Sequence, residues 1–189
     1  MINFFAVFGL QARPVIDVGV LSDLFANKSK TLHPDRAAGG EFATLIEAFR
    51  VLADPASRVW HLLALSGGEP RSSAPSAKIN AWFSPVANNL QHFDRMLQAI
   101  SRETSSLLRA IKIREGQPAE AELERLSEGL NREREALLQV MAQIDARWPD
   151  NSPADRSSLA QIACDLRFVE KWLAQIAERR LRFQESVNG

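Results

Sequence analysis

The chain has 189 residues, enough for one ordinary domain or two small ones, and 46% of them are hydrophobic, as in globular proteins. Its 23 basic and 23 acidic side chains give a formal net charge of zero, so a nucleic-acid partner is not expected. The single cysteine, Cys164, excludes an internal disulfide framework and a cysteine-rich zinc site.

The first elements in chain order are two amphipathic helices. After Asp17, a plausible N-cap, apolar residues follow at spacings of three, four and seven: Val18, Leu21, Phe25 and Leu32. The second helix has one apolar face, which comprises Phe42, Leu45, Ile46, Phe49 and Leu52. A short polar connection at 33–40 joins them, so the two helices should pack as an antiparallel hairpin.

In the rest of the chain, prolines and glycines mark predicted helix boundaries. Three helix starts are predicted where a capping oxygen precedes a proline, at Asp54-Pro55, Ser84-Pro85 and Ser152-Pro153. Helix ends are predicted at Gly116-Gln117-Pro118 and at Trp148-Pro149.

The segment 66–77, rich in Gly, Ser and Pro, is the best linker candidate. Beyond it, three long amphipathic helices are predicted, at about 85–115, 119–147 and 153–186. Short connections make such neighbours antiparallel, and no strand pattern competes. The predicted fold is therefore all-α, with a helical hairpin in an N-terminal domain 1–70 and an antiparallel three-helix bundle in a C-terminal domain 78–189.

The tripeptide His33-Pro34-Asp35 occupies the tip of the predicted hairpin. Proline disfavours the helical conformation for the residue before it, so the first helix must end near His33. Pro34 also fixes its own φ, which holds its two neighbours in a defined presentation. The flanking cations give this tip a local positive face; they are Lys28, Lys30 and Arg36.

Catalysis by His33 and Asp35 is not expected, because they lie two apart in a proline-locked loop, 33–40, that contains no Ser or Cys nucleophile. A metal site would need a third ligand, and His61 and His92 lie on separate segments. No catalytic residue, metal ligand or cofactor is predicted, so an enzyme is the least expected class.

A His-Pro-Asp tripeptide between two antiparallel helices, with basic residues before it, resembles the J-domain family. The segment 45–58 is similar to the family's second core helix and its L-x-D-P-x-x-R exit. The resemblance implies docking on the ATPase domain of a DnaK-type chaperone, whose ATP hydrolysis is thereby accelerated. The residues implied in this contact are His33, Pro34, Asp35, Lys28, Lys30 and Arg36. The alternative is a purely structural role, in which the tripeptide only caps the helix and forms the turn.

The segments 3–10, 58–63 and 165–171 resemble HscB-type J-domain co-chaperones of iron–sulfur cluster assembly. This resemblance implies an N-terminal J-domain and a C-terminal three-helix bundle that binds an IscU-like scaffold protein. It also implies an HscA-type chaperone as the partner.

Carried onto this chain, the scaffold-binding patch of HscB-type proteins falls on Met96, Leu97, Ile100 and Phe168. Trp172 joins it because it lies one helical turn from Phe168 and, like Phe168, falls off the apolar stripe of the last helix. We expect the set to form one apolar surface where the first and third bundle helices run side by side. Two interpretations stay open, an exposed patch or buried core. The core is favoured for Leu97 and Ile100, the patch for Phe168, and neither for Trp172.

The chain departs from the HscB-type pattern at several positions. Residues Ser101, Thr104 and Leu108 stand where the family has glutamates within the client patch. Leu32 replaces a common tyrosine, and Lys28 occupies a usually apolar position. Two alternative functions follow: a J-domain protein of the same architecture with a different client, or a helical adaptor with an inactive J-like domain.

No apolar run approaches the roughly 20 residues of a membrane span, and the opening residues do not resemble a secretory signal. We therefore expect a cytoplasmic protein with no membrane partner.

Overall fold

The computed structural model describes residues 1–31, 40–67, 74–148, 150 and 152–188. Over these ranges every regular element is a helix, which confirms the predicted all-α fold class. The helices are α1 (Phe4–Phe8), α2 (Val18–Thr31), α3 (Gly40–Ala53), α4 (Pro55–Leu65), α5 (Ala77–Asn80), α6 (Phe83–Ser101), α7 (Ser106–Asp145) and α8 (Pro153–Asn188). Within the described part of the chain, no helix is both long and apolar enough to cross a bilayer.

The predicted helical hairpin is formed by α2 and α3. The rings of Phe25 and Phe49 pack at 4.5 Å between centroids, and one turn further along α2 Lys28 lines the same small cavity as Gly40 and Thr44. Later residues of α2 thus meet earlier residues of α3, so the two helices are antiparallel. Asp17 caps α2 as expected, since its Oδ1 accepts a hydrogen bond from the backbone N–H of Val20 at 3.2 Å.

Two of the three predicted helix starts are confirmed. The carboxylate of Asp54 accepts a hydrogen bond from the N–H of Ser57 at 2.7 Å, at the start of α4. At the start of α8, Ser152 Oγ accepts from the N–H of Asp155 at 3.1 Å, and the Asp155 carboxylate accepts from the N–H of Ser152 at 2.9 Å. This reciprocal pair is the arrangement of a capping box, with Asp in place of Glu or Gln.

The predicted start at Ser84-Pro85 is wrong, because α6 already begins at Phe83. The preceding residue, Trp82, has helical backbone angles, and its side chain makes no capping hydrogen bond. The chain thus enters α6 from α5 in a nearly helical conformation. Ser84 therefore lies inside the helix and cannot adopt the extended backbone of an N-cap residue.

The predicted break at Gly116-Gln117-Pro118 is also wrong, because α7 runs through Pro118 without interruption. A proline inside a helix costs about 3 kcal/mol, so other interactions must stabilise this course. Close packing at Gly116 is one such interaction. A Cβ there would lie 2.6 Å from the Sδ of Met96 and 3.1 Å from the ring of Phe183, so only glycine allows both neighbours to pack this closely.

The actual break between α6 and α7 lies at 102–105 and is held by polar contacts around Glu103. The carboxylate of Glu103 pairs with Lys112 at 2.7 Å and accepts from the N–H of Ser105 at 3.2 Å. Its backbone carbonyl accepts a hydrogen bond from Arg109 at 3.0 Å. Ser105 Oγ in turn accepts from the N–H of Leu108 at 3.4 Å, as expected of an N-cap.

The chain divides into two compact units, one formed by Met1–Ala74 with Leu137–Leu166, the other by Pro75–Ala136 with Arg167–Gly189. Helices α7 and α8 each contribute residues to both units. The boundary at Ala74 falls inside the predicted linker 66–77. The assignment of 1–70 and 78–189 as the two functional domains remains a prediction.

The first unit contains two apolar clusters. One lies among the first four helices and comprises Phe5, Phe8, Leu21, Leu45, Ala48, Leu52 and Leu62. The other joins α4 to the adjoining ends of α7 and α8 and comprises Ala56, Val59, Leu63, Met141, Ile144, Leu159, Ile162, Ala163 and Leu166. Helix α4 therefore buries two faces, one in each cluster.

Polar contacts between the segment after α1 and the end of α7 add to this packing. The carboxylate of Asp145 accepts from Arg13 Nε at 3.0 Å and from the N–H of Val15 at 3.0 Å. The indole N–H of Trp148 donates to the carbonyl of Ala12 at 2.8 Å. The segment between α1 and α2 is thereby held against the carboxyl end of α7.

The second unit is a three-helix arrangement whose directions follow from ion pairs. Arg179 of α8 pairs with Asp94 of α6, while Phe83, eleven residues earlier in α6, contacts Trp172 of α8, so these two helices run parallel. Arg180 of α8 pairs with Glu120 of α7, whereas pairs nearer the start of α8 involve later residues of α7. Helix α7 therefore runs antiparallel to α8, as the sequence predicts for an up-down-up bundle.

Candidate functional site

The tripeptide predicted to bind a chaperone lies outside the described residues, together with Arg36; its members are His33, Pro34 and Asp35. The structure describes the two helices that flank this segment, with α2 ending at Thr31 and α3 beginning at Gly40. The docking role of the tripeptide therefore stays a prediction.

The two predicted lysines of this site lie in the last turn of α2. Lys30 is exposed, whereas Lys28 is half-buried and lines a cavity of about 440 Å³ together with Val7 and Leu45. A long aliphatic stem allows a lysine to cover apolar surface while its ammonium stays in water. This explains how a lysine is accommodated at position 28, where the J-domain sequences that this chain resembles usually have an apolar residue.

Arg58 supports the hairpin from inside the first unit. Its side chain is 3% exposed, and it donates from Nε to the carbonyl of Pro14 at 2.7 Å and from a terminal nitrogen to the carbonyl of Leu52 at 2.6 Å. Burial lowers the pKa of the guanidinium to about 10. This arginine belongs to the D-P-x-x-R exit, and it ties the end of α3 to the segment that precedes α2.

Two of the predicted client residues, Phe168 and Trp172, belong to an aromatic cluster with Phe83. The Phe83 ring lies 5.3 Å from that of Phe168 and 5.0 Å from that of Trp172, which it meets edge-on. Trp172 is only 6% exposed, so of the two interpretations left open for it the structure shows burial. Phe168 is half-buried, and Phe83 is 39% exposed.

Phe83 was not among the predicted client residues, although its ring completes this cluster. The signal in the sequence was weak, because Phe83 stands close to the linker and several residues before the apolar stripe of α6. Only the parallel course of α6 and α8 brings it to Phe168 and Trp172.

The other predicted client residues lie further along α6. Ile100 is 2% exposed and belongs to the core, while Met96 and Leu97 are half-buried. Met96 packs against Gly116, at the level of Phe183 of α8. Met96 is 13 residues beyond Phe83 in one helix, a separation of about 20 Å.

The structure therefore does not bring Met96, Leu97 and Ile100 together with Phe168 and Trp172, and the expectation of one continuous apolar surface is wrong. The amphipathic pattern of the sequence correctly places both sets on helices that pack together. It does not determine the axial offset of the two helices, which the contacts of Arg179 with Asp94 and of Phe93 with Phe183 reveal.

Leu97 and Ile100 instead line an open groove of about 910 Å³ in the second unit, which we call the arginine groove. Its walls carry four guanidinium groups, those of Arg95, Arg109, Arg179 and Arg182. The carboxylates among its lining residues are Asp94 and Glu185. None of these charged residues was singled out from the sequence. Within the described ranges, no three His, Cys, Asp or Glu side chains lie close enough together to hold a metal ion.

No family model matches the chain. Among solved structures it is similar to chaperone HscB from Vibrio cholerae, with a TM-score of 0.59, over 94% of this chain and 96% of that one. The two sequences are 18% identical, so the similarity is one of fold. The chain has an HscB-like all-α fold over nearly its whole length.

Proposed function

We propose that this protein is a J-domain co-chaperone. Its N-terminal hairpin docks on a DnaK/HscA-type chaperone and stimulates the ATPase of that chaperone. Its helical bundle delivers an IscU-like iron–sulfur scaffold protein as the client. The observation that carries the proposal is the coincidence of an HscB-like fold over 94% of the chain with a His33-Pro34-Asp35 tripeptide between α2 and α3.

In this function the chain acts by binding and performs no chemistry of its own. Lys30 and Lys28 lie on the last turn of α2, directly before the tripeptide, where their charge attracts an acidic surface on the chaperone. Arg58 contributes by fixing the end of α3. We therefore propose a cytoplasmic co-chaperone that is not an enzyme and needs no cofactor.

The client half of the proposal rests on the aromatic cluster. Phe83 and Phe168 offer exposed ring surface next to the buried Trp172, and aromatic residues of this kind are common anchors at protein interfaces. Leu97 and Met96 are separate candidates on the same unit. We keep all five predicted client residues, including the buried Ile100, as proposals to be tested one at a time.

A different client within the same architecture is the second candidate. It is favoured by Ser101, Thr104 and Leu108, which stand where the family's scaffold-binding glutamates are expected. A direct comparison separates the two: the chain is immobilised, and an IscU-like scaffold and an unrelated unfolded protein are titrated. Binding of the scaffold alone supports the first candidate.

The chaperone half is tested with steady-state ATPase assays of a DnaK/HscA-type chaperone. Addition of the full chain should raise the rate of ATP hydrolysis, and His33→Gln should abolish that rise. His92→Gln, an exposed change on α6, is the matched control and should leave stimulation intact. Full stimulation by the His33→Gln variant would contradict the J-domain assignment. No stimulation by the unaltered chain would favour the inactive adaptor.

A further inference from the structure

The arginine groove is built from the carboxyl-terminal parts of α6 and α8 together with Arg109 of α7. Its apolar lining residues are Leu97 and Ile100, and Leu97 exposes more surface, because Ile100 is 2% exposed. An open groove of about 910 Å³ falls within the size range of sites that hold ligands or peptide side chains. Its chemistry differs from that of the aromatic cluster, because four of its six charged lining residues are arginines.

The charges of this groove do not cancel. Four guanidinium groups and two carboxylates line the groove, and Glu178 beside it pairs with Arg182, which leaves a formal excess of one positive charge. Arg179 forms an ion pair with Asp94, to which it donates two hydrogen bonds of 2.8 Å each. Arg182 pairs with Glu178 on its own helix.

The two remaining groups, Arg95 and Arg109, form no ion pair with any carboxylate in the described part of the chain. Arg95 is exposed, and its one hydrogen bond to a described residue is a long one of 3.4 Å to the carbonyl of Gln91. Arg109 donates to the carbonyl of Glu103, and its buried Nε–H has no acceptor among the described residues. The exposed guanidinium of Arg95 can therefore still bind a carboxylate. Arg109 keeps only part of this capacity, because one terminal nitrogen donates to Glu103 and its Nε–H is buried.

Apolar surface accompanies these cations. The first turns of α7, around Arg109 in sequence, carry three exposed aliphatic side chains, those of Leu107, Leu108 and Ile111. Leu97 adds a half-buried side chain inside the groove. The groove itself thus combines cations with Leu97, and the exposed aliphatic side chains of α7 neighbour Arg109 in the sequence.

We propose that the arginine groove binds an acidic segment of a protein, with carboxylates on Arg95 and Arg109 and an apolar side chain against Leu97. The proposal rests on the proposed function, since it assigns this segment to the client. It also gives a physical reason for the absence of the glutamates that the HscB-type pattern has here. With Ser101 in place of an acidic residue, this face does not repel an acidic partner.

Other anionic partners fit this groove less well. A bilayer is broad and presents its headgroups to flat or convex surfaces, whereas these arginines line a concavity. Polyphosphates need a larger cationic excess, and the carboxylates of Asp94 and Glu185 in the same walls oppose them. Planar guanidinium groups match single carboxylates in a two-point geometry.

The test uses the full chain and a fluorescein-labelled peptide of about 12 residues made of Glu, Leu and Ala, which as a helix spans about 18 Å. Fluorescence anisotropy measures its affinity at low and at physiological salt. A peptide with Gln in place of Glu is the uncharged control. Vesicles of phosphatidylserine and phosphatidylcholine test the lipid alternative.

We expect the acidic peptide to bind at least about tenfold more tightly than the Gln peptide, and binding to weaken with salt. Arg95→Gln and Arg109→Gln should each weaken it about tenfold. Arg125→Gln removes the same charge from an exposed arginine of α7 paired with Glu122, and should leave affinity unchanged. Because Arg109 also braces the turn after α6, Arg95→Gln is the decisive variant.

The inference is overturned if the acidic peptide does not bind, or if Arg95→Gln binds it as tightly as the unaltered chain does. Vesicle binding that depends on Arg95, without peptide binding, would assign the groove to lipid instead. ATPase stimulation measured without client separates this inference from the proposed function. If the chain stimulates the ATPase but does not bind the peptide, only the binding role of the arginine groove is refuted. If it binds the peptide but does not stimulate the ATPase, only the chaperone assignment is refuted.

Discussion

The Nε2 atom of His61 accepts a hydrogen bond from the backbone N–H of Phe4 at 3.0 Å. The imidazole also stacks on the ring of Phe4, with 4.5 Å between centroids, and lies close to Phe5. An acceptor at Nε2 requires a neutral ring with its proton on Nδ1. Burial lowers the pKa of His61 below its ordinary value of 6.5, which favours the neutral ring in the folded state.

The stability of the chain should therefore depend on pH through His61. Because the folded pKa is depressed, its contribution is complete above the unfolded value of 6.5 and is lost as the pH falls through the folded pKa. Urea midpoints measured between about pH 8 and about pH 5 should fall on acidification, and His61→Phe should make that fall shallower. The exposed His92 is the control: His92→Gln should keep the original slope. Identical slopes for His61→Phe and the unaltered chain would exclude this role.

Arg58 should be essential to the stability of the first unit. Arg58→Met leaves the carbonyls of Pro14 and Leu52 without their donors inside the protein, and we expect a loss of about 3 kcal/mol in unfolding free energy. Arg50→Met is the matched control, since Arg50 is exposed and, among the described residues, its ion pair is with Glu47 on its own helix. It should cost less than about 0.5 kcal/mol. Equal urea midpoints for the two variants would contradict the assigned role of Arg58.

Phe168 should contribute more to client binding than to stability. Its ring is half-buried in the aromatic cluster, so Phe168→Ala should cost about 1 kcal/mol of unfolding free energy and about 2 kcal/mol of binding to an IscU-like scaffold. Phe93 is fully buried against Phe183, and Phe93→Ala should cost about 3–5 kcal/mol of stability. Calorimetric titration and urea denaturation of both variants test this. Normal scaffold binding by the Phe168→Ala variant would show that the client-binding surface does not include Phe168.

The lysines at the end of α2 should act through their charge. Neutralising Lys30 to Gln removes an exposed cation next to the tripeptide, so affinity for the chaperone should fall about threefold at low salt and less at high salt. Lys171→Gln, an exposed change on α8, should have no effect. If the affinity of the unaltered chain does not vary with ionic strength, this face of α2 is not the docking surface.

Local sequence signals were sufficient for much of the architecture. Asp17, Asp54 and Ser152 cap the helices that they were expected to cap, because a side-chain oxygen before the first turn satisfies backbone donors whatever the rest of the chain does. The apolar spacing around Phe25 and Phe49 likewise predicts a hairpin that the structure contains. The position of His33-Pro34-Asp35 at its tip comes from the sequence alone, since the tripeptide lies outside the described residues.

Tertiary packing decided the features that local signals could not. Pro118 opposes a continuous α7, yet the close approach of Met96 and Phe183 to Gly116 accompanies a helix that continues through it. The axial offset between α6 and α8 depends on contacts such as Arg179 with Asp94, which are far apart in the sequence. That offset separates Phe168 from Met96. Periodicity determines which face of a helix is buried, but only the summed contacts with neighbouring helices determine which residues meet across it.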